Sequence, residues 1–375
     1  MIHRFLKNYT YLMFIIPLAG CSGSAIVDPV VDSSNQATGV IEPSTPPTIP
    51  STSSTPTTTS FTGIFPPGSI WSTDISAATL DYQSAATINW MASNGNWGYR
   101  QLSWWPYNYL RISTEWRLLK KTASTPMVPF QKRSDYYGAC DSNITAFPLP
   151  AGGGIQNVNN YSACSTNTGG DCHLVVYDEV NKKLYESYMT DYSGGKITST
   201  CGVVWDTAKV YPADGRGDQC TSTDAAGTPA SALLFTADDL AAGHIDHALR
   251  LSLPNTMIRA NTFVHPATHA STAPNQYGSS PIYGARFRLK ASFDISTYSP
   301  AMKVILTAMK QYGMILSDGG DMSISAASDL DTTHKFSEFN LNVDNALNGL
   351  TVDNFEVVDG GTRIPLTFNC VRNGQ

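Results

Sequence analysis

The chain has 375 residues and a formal net charge of -6, and charged residues make up only 14% of it. Nucleic-acid binding needs a concentrated basic surface, so this composition excludes nucleic acid as a partner. The 29 glycines and 22 prolines predict many turns, which favours a β-rich protein over a helical one.

The first 20 residues have the three zones of an export signal. Arg4 and Lys7 form a positive start, residues 11–18 are an apolar run, and small residues follow. The run is too short to cross a bilayer, which takes about 20 apolar residues. Residues 18–21, Leu-Ala-Gly-Cys, resemble the bacterial lipobox. That resemblance implies cleavage before Cys21 and lipidation of Cys21.

Lipidation of Cys21 predicts a protein of the bacterial cell envelope. Its predicted partner is the membrane, which it contacts through the lipid anchor. Ser22 follows the cysteine where Asp would retain a Gram-negative lipoprotein in the inner membrane, so the outer membrane is predicted. Two alternatives stay open, namely an ordinary secretory peptide with a chance cysteine and an uncleaved anchor helix. Loss of the leader removes two positive charges and no negative ones, which takes the net charge from -6 to -8.

The changes in composition along the chain predict three regions: a signal peptide over residues 1–20, a tether over 21–62, and one β-rich globular domain over 63–375. Every residue from 43 to 60 except Ile49 is Ser, Thr or Pro. No apolar periodicity is possible there, so the tether is predicted to be disordered or polyproline-like.

Seven cysteines fit an oxidising compartment. Without the lipidated residue an even number remains, which predicts three disulfides with their pairing left open. These cysteines are Cys140, Cys164, Cys172, Cys201, Cys220 and Cys370. Their spacing fits no zinc site.

Strands dominate the predicted secondary structure. Residues 173–177 and 183–188 predict a hairpin. Further extended segments are predicted at 203–205, 247–253, 257–264, 285–293 and 314–317. Helices are predicted at 77–91, at 237–242 behind a Thr236 capping box, and at 300–312 behind the cap Ser299. The fold class is therefore mainly β with a few helices, as a single β-sandwich or jelly-roll-like domain.

Five histidines outside the leader are the first candidates for chemistry: His173, His244, His247, His265 and His269. Strand alternation places His247 on one face with leucines, so it should be partly buried and need a partner. We predict that His247 and His269 handle protons and that His173 is a further catalytic residue. The alternative is that each is an ordinary satisfied residue. Pro254 and Pro266 argue against helical histidine pairs, so neither a metal nor a cofactor is predicted.

Carboxylates would complete a hydrolytic site, and the candidates are Asp171, Glu186, Asp206, Asp224, Asp246, Asp294 and Asp318. Glu186 and Asp224 are predicted to be catalytic, because a glycosidase needs two carboxylates about 5 to 10 Å apart. A polysaccharide lyase would instead need cations for a uronate, and Arg250, Arg288 and Lys290 could bind it. The alternative is that Arg286, Arg288 and Lys290 form a solvated strand face.

Aromatic residues crowd into the segment from Trp97 to Trp116. Trp104 and Trp105 are predicted to bind substrate, because aromatic faces stack on sugar rings. Packing in the core of a hairpin is the equally weighted alternative.

Motifs in the C-terminal half include residues 222–227 (Ser-Thr-Asp-Ala-Ala-Gly), 242–250 (Ala-Gly-His-Ile-Asp-His-Ala-Leu-Arg) and 266–269 (Pro-Ala-Thr-His). They continue with 286–296 (Arg-Phe-Arg-Leu-Lys-Ala-Ser-Phe-Asp-Ile-Ser) and 310–318 (Lys-Gln-Tyr-Gly-Met-Ile-Leu-Ser-Asp). Together they resemble a family of uncharacterised secreted bacterial proteins. The resemblance implies a family set of polar positions, which are His173, Glu186, Asp224, His247, Arg250, His269 and Asp318.

These observations predict a membrane-tethered lipoprotein that degrades a polysaccharide as a hydrolase or a lyase. The alternative is a non-catalytic lipoprotein that binds glycans, mediates adhesion or has a structural role in the envelope.

Overall fold

A computed structural model describes residues 61–98, 109–162, 164, 171–272 and 278–373. They belong to a compact unit, Thr58–Gln375, and a separate unit, Met1–Thr57, lies outside the described residues. The predicted signal peptide, the lipidation site Cys21 and nearly all of the predicted tether fall in that undescribed part. Trp104 and Trp105 also lie outside the described residues.

The largest sheet of the described chain has six strands. In sheet order, with strands numbered along the chain, they are β1 (Arg111–Trp116), β14 (Ser323–Ala327), β10 (Leu249–Leu253), β13 (Met314–Gly319), β12 (Arg286–Leu289) and β15 (Phe355–Val358). The sheet is mixed, because β1–β14 and β10–β13 are parallel pairs and the other neighbours are antiparallel.

Three smaller sheets complete the strands in the described residues. One contains β2 (Leu118–Lys120), β5 (Leu174–Asp178), β6 (Lys183–Tyr188) and β9 (Cys201–Asp206). A second contains β4 (Ala146–Pro148), β3 (Met127–Lys132), β8 (Lys196–Ser199) and β7 (Asp191–Ser193). The third pairs β11 (Thr262–Phe263) with β16 (Ile364–Pro365). The predicted hairpin at 173–188 is confirmed as the antiparallel pair β5–β6.

The helices of the described residues are α1 (Ser84–Ser93), α2 (Ala237–Ala242) and α3 (Pro300–Gln311). The predicted caps are confirmed: Ser299 accepts a hydrogen bond from the Met302 amide, and Thr236 with Asp239 forms a capping box. Helix α1 starts later than predicted, because Asp81 accepts from the Gln83 amide and holds the preceding residues in a turn. No helix among the described residues combines the length and apolar character needed to cross a bilayer.

The six-stranded sheet is covered on both faces. On one face, Leu249, Leu251 and Leu253 share a buried cluster with Ile305 and Met309 of α3. A second buried cluster joins this sheet to the β2–β5–β6–β9 sheet. Its members include Trp116, Ile315, Ala327, Leu184, Val203 and Trp205. The predicted mainly β domain with a few packed helices is therefore confirmed.

One predicted strand takes a different form. Residues 257–264 were predicted to be extended, but a short 3-10 turn, Asn255–Met257, precedes the two-residue strand β11. The Met257 amide donates to the Pro254 carbonyl over 2.7 Å, which closes the turn and shortens the strand.

Three disulfides link the six cysteines, as predicted: Cys140–Cys201, Cys164–Cys172 and Cys220–Cys370. Disulfides persist in oxidising compartments, so the domain belongs outside the cytoplasm.

Candidate functional site

Two cavities adjoin beside the six-stranded sheet, and residues of its strands β1, β10, β13 and β14 are among their lining. The larger has a volume of about 630 Å³ and the smaller about 280 Å³. Asp171, Asp318 and Gly319 line both of them, so the cavities meet at these residues. Together they form one continuous cleft, and a volume of several hundred Å³ is typical of ligand sites.

A β-bulge places Asp318 in the cleft. Leu251 of β10 pairs with Leu316 of β13, whereas Ser252 pairs with Asp318, so Ser317 is an extra residue in β13. In regular alternation Asp318 would share the face of Leu316, which points into the apolar core with α3. The bulge turns Asp318 instead to the face of Arg250.

Arg250 is the centre of a buried ionic network. Its side chain is 5% exposed, and it donates to both carboxylate oxygens of Asp224 over 2.6 to 3.1 Å. It also donates to Asp318 Oδ2 over 2.7 Å and to the Ser325 hydroxyl over 3.1 Å. Its guanidinium carbon lies 4.6 Å from the ring centroid of Trp116. Burial alone would lower the pKa of Arg250, but Asp224 and Asp318 outweigh this and raise it.

Asp171, His173 and Asp318 converge where the cavities meet. One ligand atom from each lies within 4.8 Å of the other two. The His173 ring is fully buried and lies 4.2 Å from the Trp116 ring, centroid to centroid. Within the described residues neither of its ring nitrogens has a hydrogen-bond partner. The disulfide Cys164–Cys172 holds the chain between Asp171 and His173.

The protonation of these groups follows from burial. Burial, with a smaller contribution from Arg250, lowers the pKa of His173 well below its ordinary value, so the imidazole is neutral. Burial and then the neighbouring Asp224 raise the pKa of Asp318, and burial raises that of Asp171. The Gly319 amide donates to Asp318 Oδ1 over 2.8 Å. The Tyr188 hydroxyl lies 3.4 Å from Asp171 Oδ1.

His269 lines the larger cavity. Its Nδ1 lies 2.9 Å from the Ala225 carbonyl oxygen, which can only accept, so Nδ1 carries the proton. Burial lowers the pKa of His269, so the neutral form dominates at pH 7 and Nε2 has a free lone pair. The Thr268 amide donates to Ala226 and its hydroxyl to Cys220, which fixes the loop that holds the ring. This imidazole can accept a proton.

Aromatic side chains form the rim of the larger cavity. Tyr137 is 51% exposed and Phe368 is 58% exposed, although both are large apolar rings. Tyr137 stacks on Tyr188 with centroids 6.5 Å apart, and Phe368 lies 5.8 Å from the His269 ring. The disulfides Cys140–Cys201 and Cys220–Cys370 hold the segments next to these rings. Exposed rings on a rigid cavity rim are suited to stacking on sugars.

The predicted site residues divide into two groups. The cleft brings together Asp224, Arg250 and His269, with His173 directly behind Asp171 and Asp318. Glu186, His247, Arg288 and Lys290 lie outside the lining of both cavities.

Glu186 lies on β6 of the β2–β5–β6–β9 sheet, is fully buried, and accepts hydrogen bonds at both carboxylate oxygens. The Trp205 indole N–H donates to Oε2 over 2.9 Å. The Ser231 amide and hydroxyl donate to Oε1 over 2.9 and 2.6 Å. These bonds join β6 to the turn after Pro229, which is a structural role.

His247 is buried, as its strand position predicted. Its Nδ1 lies 2.9 Å from the carbonyl of the next residue, Ala248, which is the partner that its burial requires. His247 lies in a bend just before β10, which starts at Leu249 and not at residue 247 as predicted, and it is outside the lining of both cavities.

Arg288 of β12 and Lys290, the residue after β12, both donate hydrogen bonds to neighbouring segments. Arg288 donates to Glu356 over 2.8 Å and to the carbonyls of Ser76 and Ala78. Lys290 donates to the Asp353 carbonyl over 2.7 Å. Arg288 is buried, so the alternative of a solvated face is wrong for it. Both side chains tie neighbouring segments to the sheet edge.

Asp171 and Asp318 were two of the seven candidate carboxylates; the family resemblance implied Asp318 as a polar position, but neither residue was predicted to be catalytic. Asp171 and His173 precede β5, and Cys172 between them has a left-handed backbone conformation with φ 54°, so strand alternation does not predict that they converge. Their third partner, Asp318, lies on a distant strand. Tyr137, Tyr188 and Phe368 gave no signal as a group, because the fold alone brings them together.

Comparisons with protein-family models, with curated proteins and with solved structures found no match for this chain.

Proposed function

We propose that this protein is an exported bacterial lipoprotein, anchored through lipid on Cys21, whose domain hydrolyses a polysaccharide in the cleft. The leader and the Leu-Ala-Gly-Cys motif support the anchor. The three disulfides support folding outside the cytoplasm. Ser22, in place of an Asp that would retain the protein in the inner membrane, supports anchoring in the outer membrane. There the domain would meet envelope or extracellular glycans.

The observation that supports catalysis is the combination of groups in one cavity. His269, a proton acceptor at neutral pH, lines the same space as the carboxylates of Asp171, Asp224 and Asp318. Exposed aromatic rings form the rim of that space. A sugar ring stacked on Tyr137 or Phe368 would present its hydroxyls and its glycosidic oxygen to these groups. His269 would take a proton from the attacking water, and one of these carboxyl groups, in its protonated form, would give a proton to the leaving glycosidic oxygen as its bond to the sugar breaks.

Charge favours hydrolysis of a neutral glycan over elimination from a uronate. Five carboxylates line the cleft, those of Glu115, Asp171, Asp224, Asp318 and Asp321. Both cations in its lining are engaged: Arg250 contacts Asp224, Asp318 and Ser325, and Arg111 contacts Glu115 and Asp321 at 3.4 Å. Arg288 and Lys290 are also engaged, outside the cleft. A uronate carboxylate would therefore meet more carboxylates than cations, and the two cations in the cleft lining are already paired.

The test is a screen of the purified protein against neutral and uronate-containing polysaccharides. New reducing ends report hydrolysis, and ultraviolet absorbance from a new carbon–carbon double bond reports elimination. His269→Gln is expected to lower the rate by about 10²- to 10⁴-fold, the usual contribution of a general base. His334→Gln is the matched control, because His334 lies on the surface and pairs with Glu338.

A non-catalytic glycan-binding protein is the second candidate, and the exposed Tyr137 and Phe368 rings favour it independently of any acid or base. It predicts glycan retention without product release. It also predicts that His269→Gln leaves binding unchanged whereas Tyr137→Ala weakens it. Product release by the wild-type protein would exclude this candidate.

A further inference from the structure

His173 is a buried polar group that lacks a partner in the described structure. Its side chain is 1% exposed, and neither Nδ1 nor Nε2 makes a hydrogen bond there. A buried imidazole without a partner is unfavourable, because it gives up its bonds to water and gains none in return. One ring nitrogen lies within 4.8 Å of carboxylate oxygens from both Asp171 and Asp318. Those oxygens are acceptors, and the space between the three atoms is the natural position for a shared ligand.

The charges around that position are unbalanced. Asp171, Asp224 and Asp318 provide three carboxylates, and Arg250 is the cation that contacts two of them directly. A bound divalent cation would offset the excess negative charge. The groups present therefore favour a cation there over an anion or an apolar ligand.

The surrounding residues already orient the three groups. The Trp116 ring packs against the imidazole, and Arg250 and the Gly319 amide donate to the two oxygens of Asp318. Tyr188 lies within reach of Asp171. Such outer contacts hold metal ligands in place while leaving lone pairs free. Asp171 and Asp318 line both cavities, so an ion has a path from solvent.

We propose that Asp171, His173 and Asp318 form a binding site for one divalent transition-metal ion, such as Zn²⁺ or Mn²⁺, at the junction of the two cavities. One imidazole with two carboxylates suits these ions better than Ca²⁺ or Mg²⁺, which prefer oxygen ligands alone. Bonds of roughly 2.0–2.2 Å would hold the ligand atoms roughly 3 to 4 Å apart, so the side chains close by about 1 Å. The open side of the ion would face the cleft. Binding of the ion does not depend on the proposed glycan substrate.

The test uses the purified full chain, free of any affinity tag, stripped with a chelator and titrated calorimetrically with ZnCl₂, MnCl₂ and CaCl₂. We expect one Zn²⁺ or Mn²⁺ per chain, with Ca²⁺ at least tenfold weaker, and thermal stabilisation by the tighter ion. Asp171 keeps solvent-exposed surface although it also lines both cavities, so Asp171→Asn is expected to weaken binding at least tenfold without unfolding the protein. Asp321→Asn, in the same smaller cavity but outside the three ligands, is the matched control and should bind as the wild type does.

The proposal is overturned if the folded wild-type protein binds none of these ions. It is also overturned if Asp171→Asn and the wild type bind with equal affinity. His173→Gln provides a second ligand variant, and Asp171→Asn keeps the test decisive if that buried change impairs folding. Metal binding without glycan cleavage would support this metal site and count against the proposed hydrolase. Failure of the metal proposal can therefore be distinguished from failure of the proposed function.

Discussion

Asp224 neutralises the buried Arg250, and the variant Asp224→Asn tests how much this ion pair contributes to the stability of the fold. Asp224 is fully buried, and its three contacts with Arg250 measure 2.6, 3.0 and 3.1 Å. Asn keeps the shape and one acceptor oxygen, but its amide group would face the guanidinium donors. About two charge-assisted hydrogen bonds are lost, at about 1.5–3 kcal/mol each. Asp318 still contacts Arg250, so we expect a net loss near the lower limit, about 3 kcal/mol.

The assay is urea unfolding of the oxidised protein, followed by tryptophan fluorescence. The free energy of unfolding should fall by about 3 kcal/mol with an unchanged denaturant slope. Asp294→Asn is the matched control, because this exposed carboxylate bonds only within its own turn, to Ser296, and its loss should leave stability unchanged. A decrease below about 1 kcal/mol for Asp224→Asn would refute the view that Asp224 holds the Arg250 charge in the interior.

Three further predictions concern groups around the cleft. Glu186→Gln should lower stability by about 1–3 kcal/mol, because the Trp205 indole loses its acceptor, yet it should leave glycan cleavage unchanged; a loss of activity in folded protein would contradict this. Burial in the folded protein lowers the pKa of His269 below its value of about 6.5 in the unfolded chain. The stability that the neutral His269 contributes is therefore present above a pH of about 6.5 and is lost as the pH falls through the pKa of the folded state. Melting temperatures across pH should therefore fall less steeply on the acid side in His269→Gln, and identical profiles would refute this. Replacing Cys164 and Cys172 together by Ser should lower stability by about 2 kcal/mol and weaken metal binding, because this short loop holds Asp171 and His173; unchanged metal affinity by calorimetry would count against the loop's role.

Local signals in the sequence predicted the local structure well. Ser299 and Pro300 mark the start of α3, and the Thr236 capping box marks α2. The strand pattern predicted the β5–β6 hairpin. Each of these features depends on residues that are close in the chain, so its physical cause is readable from the sequence.

The site was only partly predictable, because long-range geometry determines it. Asp318 reaches the cleft through the bulge at Ser317, which no periodicity shows. Glu186 looked like a catalytic carboxylate, but alternation along β6 places it on the inward face with Leu184, where buried donors hold it. The same period-2 rule could have indicated this burial in advance.

Steady-state kinetics on a cleaved polysaccharide test the central claim, that one cavity both binds and cleaves the glycan. We expect His269→Gln to lower kcat by at least about 100-fold with little change in KM. Tyr137→Ala and Phe368→Ala should raise KM, because they remove stacking at the rim without touching the proton acceptor. If all three variants cleave the polysaccharide with wild-type kcat and KM, the cavity is not the working site and the account is wrong.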